Sequence, residues 1–173
     1  MLVMQRPKVE ALNDADDNRQ LFAIGPLEPG FGHTLGNSLR RTLLSSIPGA
    51  AVTQVRFDSA LHEFDTIAGV TEDVTDIILN LKDLVLRVHS DDAITLRLDV
   101  TGPAEVTAAD ISLNSDVEIL NADQHIATVN ANGRISVDIT VERGRGYVSA
   151  ERNKSSNIIG VIPVDSIFSP VRR

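Results

Sequence analysis

The stretch Gly30–Ser46, GFGHTLGNSLRRTLLSS, sets three glycines ahead of a leucine-rich run that carries two adjacent arginines. It reads either as a phosphate cradle at a helix start or as a helix built to dock another protein. From Thr34, the residues Leu35, Leu39, Leu43 and Ile47 recur every fourth position and Pro48-Gly49 supplies a stop, so the spacing predicts a helix.

The phosphate reading finds no motif. A dinucleotide fingerprint needs Gly-x-Gly-x-x-Gly, but the third glycine, Gly36, comes one residue late, and no Gly-Lys-Ser/Thr follows it. An anion could still sit on the free amides at the helix start. A small nucleotide- or phosphate-binding enzyme using the Gly30–Gly36 loop therefore stays open as the alternative.

A helical wheel separates the leucines. At about 100° per residue, Leu35, Leu39, Leu43 and Ile47 fall near 0°, 40°, 80° and 120°, and Leu44 near 180°, between Arg40 at about 140° and Arg41 at about 240°. Leu44 is thus expected outside the core stripe and flanked by guanidinium groups. A leucine beside arginines is the composition of an interface patch, because arginine buries its stem and still makes forked hydrogen bonds. The competing reading has both arginines solvated or paired with acids of the same chain. Gly36, Ser38, Ser45 and Ser46, small enough to let another element approach closely, favour docking.

Composition narrows the rest. The 173 residues suffice for a core without disulfides, and the absence of cysteine excludes thiolate zinc sites and cysteine nucleophiles. A formal net charge of -8 opposes a broad, sequence-independent grip on nucleic acid, so no direct DNA contact is expected. No apolar run reaches the roughly 18 residues of a membrane span and the opening residues lack a secretory signal, so a soluble, cytoplasmic protein without membrane contact is expected.

Along the chain, the polar opening with Asp14, Asp16 and Asp17 reads as disordered or loosely paired, followed by one strand at LFAI and a turn at Gly25 to Gly30. AAVTQVRFDSALHEF reads as strands, with Val52, Val55 and Phe57 apolar and a turn at Asp58-Ser59. Val70, Val74, Ile77, Ile78 and Leu81 predict a second helix, with Glu72, Asp73 and Asp76 at its positive end and Lys82 at the other. The period then changes to two, at Leu84, Leu86 and Val88, at Ile94 to Val100, and at Ile135 to Val141. Asn130-Ala131-Asn132-Gly133 is the composition of a hairpin turn. His33, His62, His89 and His125 are far apart without carboxylates at ligand spacing, so neither a metal nor another cofactor is expected. In VERGRGYV, Arg143 and Arg145 beside Tyr147 make a poor stacking platform, and a glycine-bent strand end is the better reading.

GFGHTLGNSLRRTLLSSIPGAAV, then LHEF, GVTEDVTDIILNLK, VTAADI, VERGRGYV and IPVDSIFSPV, in that order, closely resembles the amino-terminal domain of the bacterial RNA polymerase alpha subunit, with actinobacterial versions nearest. The resemblance implies a non-catalytic assembly subunit of DNA-directed RNA polymerase. In that family two alpha subunits dimerise and recruit the beta and beta-prime subunits, which hold the nucleotidyl-transfer site. Carried over by position, Arg41, with Arg40 and Leu44 on the same surface, matches the determinant for the beta subunit. Lys82 and Val164 match positions linked to beta-prime, although Lys82 also reads as a helix-end cation and Val164 as strand core.

The implied fold is α+β: a discontinuous dimerisation subdomain, begun by residues 1–48, holds an inserted, mostly β subdomain with one helix at 49–168, and is resumed at 169–173. The helix of Leu35, Leu39, Leu43 and Ile47 is then the dimerisation helix. The family continues past SPV with further strands and a second dimerisation helix, whereas this sequence stops at Arg173. A competing fragment of a longer alpha subunit is a third reading. The leucine stripe is therefore expected to lack part of its cover, and this 173-residue chain to dimerise poorly. Sedimentation should show weak, concentration-dependent association, and a tight dimer would contradict the expectation.

Overall fold

The computed structural model describes residues 6–14, 19–154 and 158–171. The chain forms two compact units, Met1–Thr42 and Leu43–Arg173. Asp16 and Asp17 of the acidic opening lie outside the described residues.

In the first unit, β1 (Lys8–Ala11) and β2 (Phe22–Gly25) pair antiparallel, Lys8 opposite Gly25. The described part of the opening is therefore a ribbon, because Val9 and Ala11 supply a partner to the LFAI strand that the polar composition concealed. Helix α1 (Phe31–Ser46) begins one residue after Gly30, whose φ of 85° suits glycine. Gly32 and Gly36 thus lie inside the helix, and the Gly30–Gly36 segment is not a loop. Its start, expected at Thr34, comes a turn earlier.

The second unit is mostly strand. β3 (Pro48–Phe57) follows α1 directly, so Pro48 opens a strand as well as ending the helix. Next come α2 (Val74–Lys82), β4 (Leu86–Val88), β5 (Ile94–Thr101) and β6 (Ala104–Thr107). A single 3-10 turn at Ala108–Asp110 leads to β7 (Ile111–Ser112), β8 (Val117–Ile119), β9 (His125–Val129) and β10 (Arg134–Arg145). The last elements are β11 (Tyr147–Val148), α3 (Ala150–Asn153), β12 (Val161–Pro163) and β13 (Ser166–Ile167). Among the described residues the architecture is mixed α+β, mostly strands with three helices.

The main sheet has the order β12-β3-β10-β5-β7, with β10 antiparallel to both β3 and β5. Alternation along β10 sends Ile135, Val137, Ile139 and Val141 to a fully buried face. Leu96 and Leu98 of β5 join them, with Val52, Val55 and Phe57 of β3. Val52 and Val55 are three apart yet both buried, because the register slips where Thr140 meets Gln54 and Val141 meets Val52, leaving Thr53 as the extra residue. After Asp58 the strand reading of SALHEF fails: this segment is a loop, in which the Leu61 and His62 amides donate to Asp65.

The second helix is shorter than its apolar pattern suggested. Asp73 is the N-cap, accepting the Asp76 amide at 2.8 Å, while Val70 sits outside and bridges Val129. Glu72 is not a helix-end acid either. It takes the Thr128 amide at 2.6 Å and the Thr128 hydroxyl and His125 ring at 3.0 Å, fastening the loop to β9.

The Asn130–Gly133 turn forms, closed by the Gly133 amide on Asn130 O at 2.9 Å, but it does not make a hairpin. β9 pairs with β6 and β10 with β5 and β3, so the turn passes the chain between two sheets. There the backbones of Gly69 and Gly133 come so close that a Cβ on Gly133 would strike the Gly69 carbonyl. Close approach, rather than hairpin geometry, is what this glycine serves.

The outward face of the main sheet carries a charge lattice set by the register. Arg56 faces Asp138, which faces Arg97 across β10. Arg56 reaches Asp138 at 2.6 Å, Arg97 reaches it at 2.7 Å and also holds Asp58 and Ser136, and Arg134 grips Asp99 with contacts at 2.8 and 2.6 Å. The Arg97 guanidinium and the Ser136 hydroxyl hold Asp58 below the usual carboxylate range, and Arg134 does the same for Asp99. At Asp138 burial pushes upward but is outweighed by Arg97 and Arg56. Folded-state values below the unfolded ones mean that these carboxylates stabilise the fold above about pH 4, and that this contribution vanishes as pH falls through the folded values. Arg97→Met should therefore flatten the loss of stability on acidification between about pH 5 and pH 2, measured by urea unfolding at each pH.

Candidate functional site

Two surfaces hold the residues singled out from sequence. On α1, Arg40 and Arg41 are exposed and Leu44 is half-buried. No residue of α1 is fully buried, and Leu39 and Leu43 stand 41% and 42% exposed. Leu35 and Ile47 are half-buried. The order differs from the helical wheel, since Leu44 is better covered than Leu43. In the same turn the Ser169 hydroxyl donates to Leu43 O at 3.4 Å, and Ser45 lies near Gly146. Apolar stripe and arginine patch are thus both accessible on one short helix, whose persistence depends on packing.

The second surface joins distant segments. Val74, Ile77 and Leu81 are buried, fixing the rotation of α2 and bringing Lys82 to its end. Lys82 Nζ donates to both carboxylate oxygens of Asp165, at 2.8 and 2.9 Å. Asp165 lies between β12 and β13, next to Val164, so the fold brings together Lys82 and the Val164 segment across 83 positions. Val164 itself is 3% exposed and its amide donates to Thr53 O at 2.8 Å. Its side chain belongs to the core, so any effect on a surface passes through its backbone.

The sequence reading missed Asp165, Asn153 and Ser166. Asn153 Nδ2 donates to Val164 O at 2.6 Å and reaches the Ser166 hydroxyl at 2.9 Å, and Ser166, buried, donates to Val52 O at 2.6 Å. No periodicity links α3 to the β12–β13 connection, so only the partners named in space reveal it. Among the described residues no group of three or more His, Asp or Glu side chains is placed to hold a metal, and no helix is long and apolar enough to cross a membrane. Of the other histidines, His62 pairs with Asp65 and His89 with Glu118. Arg143 pairs with Asp91, and β10 ends at Arg145 before Gly146, whose φ is 65°.

The family model for the RNA polymerase Rpb3/RpoA insert domain matches residues 55–169, which cover most of the main sheet, α2 and the Lys82–Asp165 pair. The chain belongs to this family. It is 61% identical, over 175 aligned residues, to the DNA-directed RNA polymerase subunit alpha of Symbiobacterium thermophilum, with all of this chain and 56% of that relative covered. The subunit alpha of Beutenbergia cavernae is 60% identical over 172 residues, covering 99% of this chain and 51% of the relative. That of Desulforamulus reducens is 56% identical over 175 residues, covering 100% and 56%. The chain spans about half the length of the curated relatives it matches.

The insert-domain chain holds Lys82 and Asp165 together only partly away from water, with side chains 25% and 40% exposed. Such a pair contributes at most about 1 kcal/mol to stability. Lys82→Met should accordingly lower unfolding free energy by less than about 1 kcal/mol in a urea titration, leaving the fold intact for binding assays.

Proposed function

We propose that this chain is the assembly platform of a bacterial DNA-dependent RNA polymerase, acting in the cytoplasm as a non-catalytic alpha subunit that gathers the subunits carrying the chemistry. The observation that carries this reading is the identity of 55–61%, over the whole chain, to proteins named DNA-directed RNA polymerase subunit alpha. The architecture supports it: a mostly β insert follows a helix that presents unburied leucines and arginines.

In this reading Arg41, with Arg40 and Leu44, binds the beta subunit. Arginine suits that task because its fork makes paired hydrogen bonds while its stem packs against an apolar neighbour. Lys82 and the Val164 segment face beta-prime. Leu35, Leu39, Leu43 and Ile47 meet the same helix of a second alpha subunit, and the accessible Leu39 and Leu43 are the apolar area such a contact would cover. Residues 1–48 and 169–173 then belong to a dimerisation subdomain around the insert at 49–168.

The nucleotide- or phosphate-binding alternative loses its loop, since Gly32 and Gly36 are helical. Arg41→Ala should weaken capture of the beta subunit by at least about 30-fold, the scale of a hot-spot arginine, while the circular dichroism spectrum and melting temperature stay unchanged. Undiminished capture by a folded Arg41→Ala chain would remove the assignment.

A further inference from the structure

The β12–β13 connection is fastened on both sides of Asp165. Before it, Val164 donates its amide to Thr53 O and accepts Asn153 Nδ2 on its carbonyl. After it, the Ser166 hydroxyl donates to Val52 O. The carboxylate between these anchors has little backbone freedom, and Lys82 Nζ spans both of its oxygens at 2.8 and 2.9 Å. Each carboxylate oxygen has two acceptor sites, so one contact to Lys82 leaves each oxygen able to accept another donor. Asp165 is also the more exposed member, at 40% against 25% for Lys82.

A partner approaching this surface therefore meets an oriented carboxylate before it meets the ammonium group. We infer that Asp165 is the specificity-determining residue of this surface, presenting its carboxylate to an N–H donor on the docking polypeptide, an arginine guanidinium above all. A guanidinium fork matches a carboxylate held in a fixed plane, and Asp165 remains 40% exposed to receive it. Lys82 is then a positioning residue that holds the carboxylate, and Val164 acts by fixing the backbone beside it. This inference rests on the reading that the Lys82 surface faces beta-prime.

The test reconstitutes this chain with the beta and beta-prime subunits and measures beta-prime capture against salt, alongside the melting temperature of each chain. Asp165→Asn should melt near the wild-type temperature and lose capture at least about tenfold, with a shallower salt dependence. Lys82→Met should lose less. A swap, Lys82→Asp with Asp165→Lys, restores the ion pair but turns the cation outward. It should fold and still fail to capture, whereas a merely structural pair would capture normally. Unchanged or tighter capture by Asp165→Asn, or wild-type capture by the swap, would overturn the inference while leaving the assembly reading in place. Absence of capture by the wild-type chain would instead overturn the assembly reading, and the inference with it.

Discussion

The row Ile135, Val137, Ile139 and Val141 on β10 is the constraint on which the second unit depends. All four are fully buried, and β10 is paired along most of its length on both edges, to β3 and to β5. A one-residue slip would move this row to the solvent face and bring the charged row inward, so burial fixes the register. Once it is fixed, the neighbours follow. Val52, Val55 and Phe57 are carried to the same side through the bulge at Thr53, and α2 adds Val74, Ile77 and Leu81 to the same core.

The same register orders the opposite face. Three arginines and three aspartates, Arg56, Arg97, Arg134, Asp58, Asp99 and Asp138, neutralise one another there. A sheet face so satisfied offers a polyanion no block of unpaired cations, in keeping with the net charge of -8. The surfaces proposed to meet other subunits are α1, where leucines and arginines are accessible, and the end of α2, where a lysine and an aspartate 83 positions apart meet.

Much of this was legible in the sequence where periodicity is strong. The alternation of Ile94 to Val100 and of Ile135 to Val141 marks β5 and β10 correctly, and the four-residue spacing marks α1. What escaped depends on contacts between distant segments. Asn130–Gly133 has hairpin chemistry, yet its flanking strands join different sheets, because tertiary pairing decides which strands meet. Glu72 looks like a helix-end acid by position, but the β9 backbone offers it a better donor at Thr128. At the candidate surfaces, Arg40, Arg41 and Lys82 stood out by residue type and family position, while Asp165 did not, because nothing local to IPVDS announces a lysine 83 positions earlier. Val164 shows the reverse case, a position tied to a surface whose side chain lies in the core.

Hydrogen–deuterium exchange on this chain, alone and after assembly with beta and beta-prime, tests the central claim most directly. If α1 and the β12–β13 connection are where partners dock, assembly should slow exchange across Asn37–Ser46 of α1 and across Pro163–Phe168. The amides of β10 from Ile135 to Val141 should keep the protection they already have in the free chain. Unaltered exchange in both segments, with new protection confined to the charged outer face of the sheet, would contradict the account.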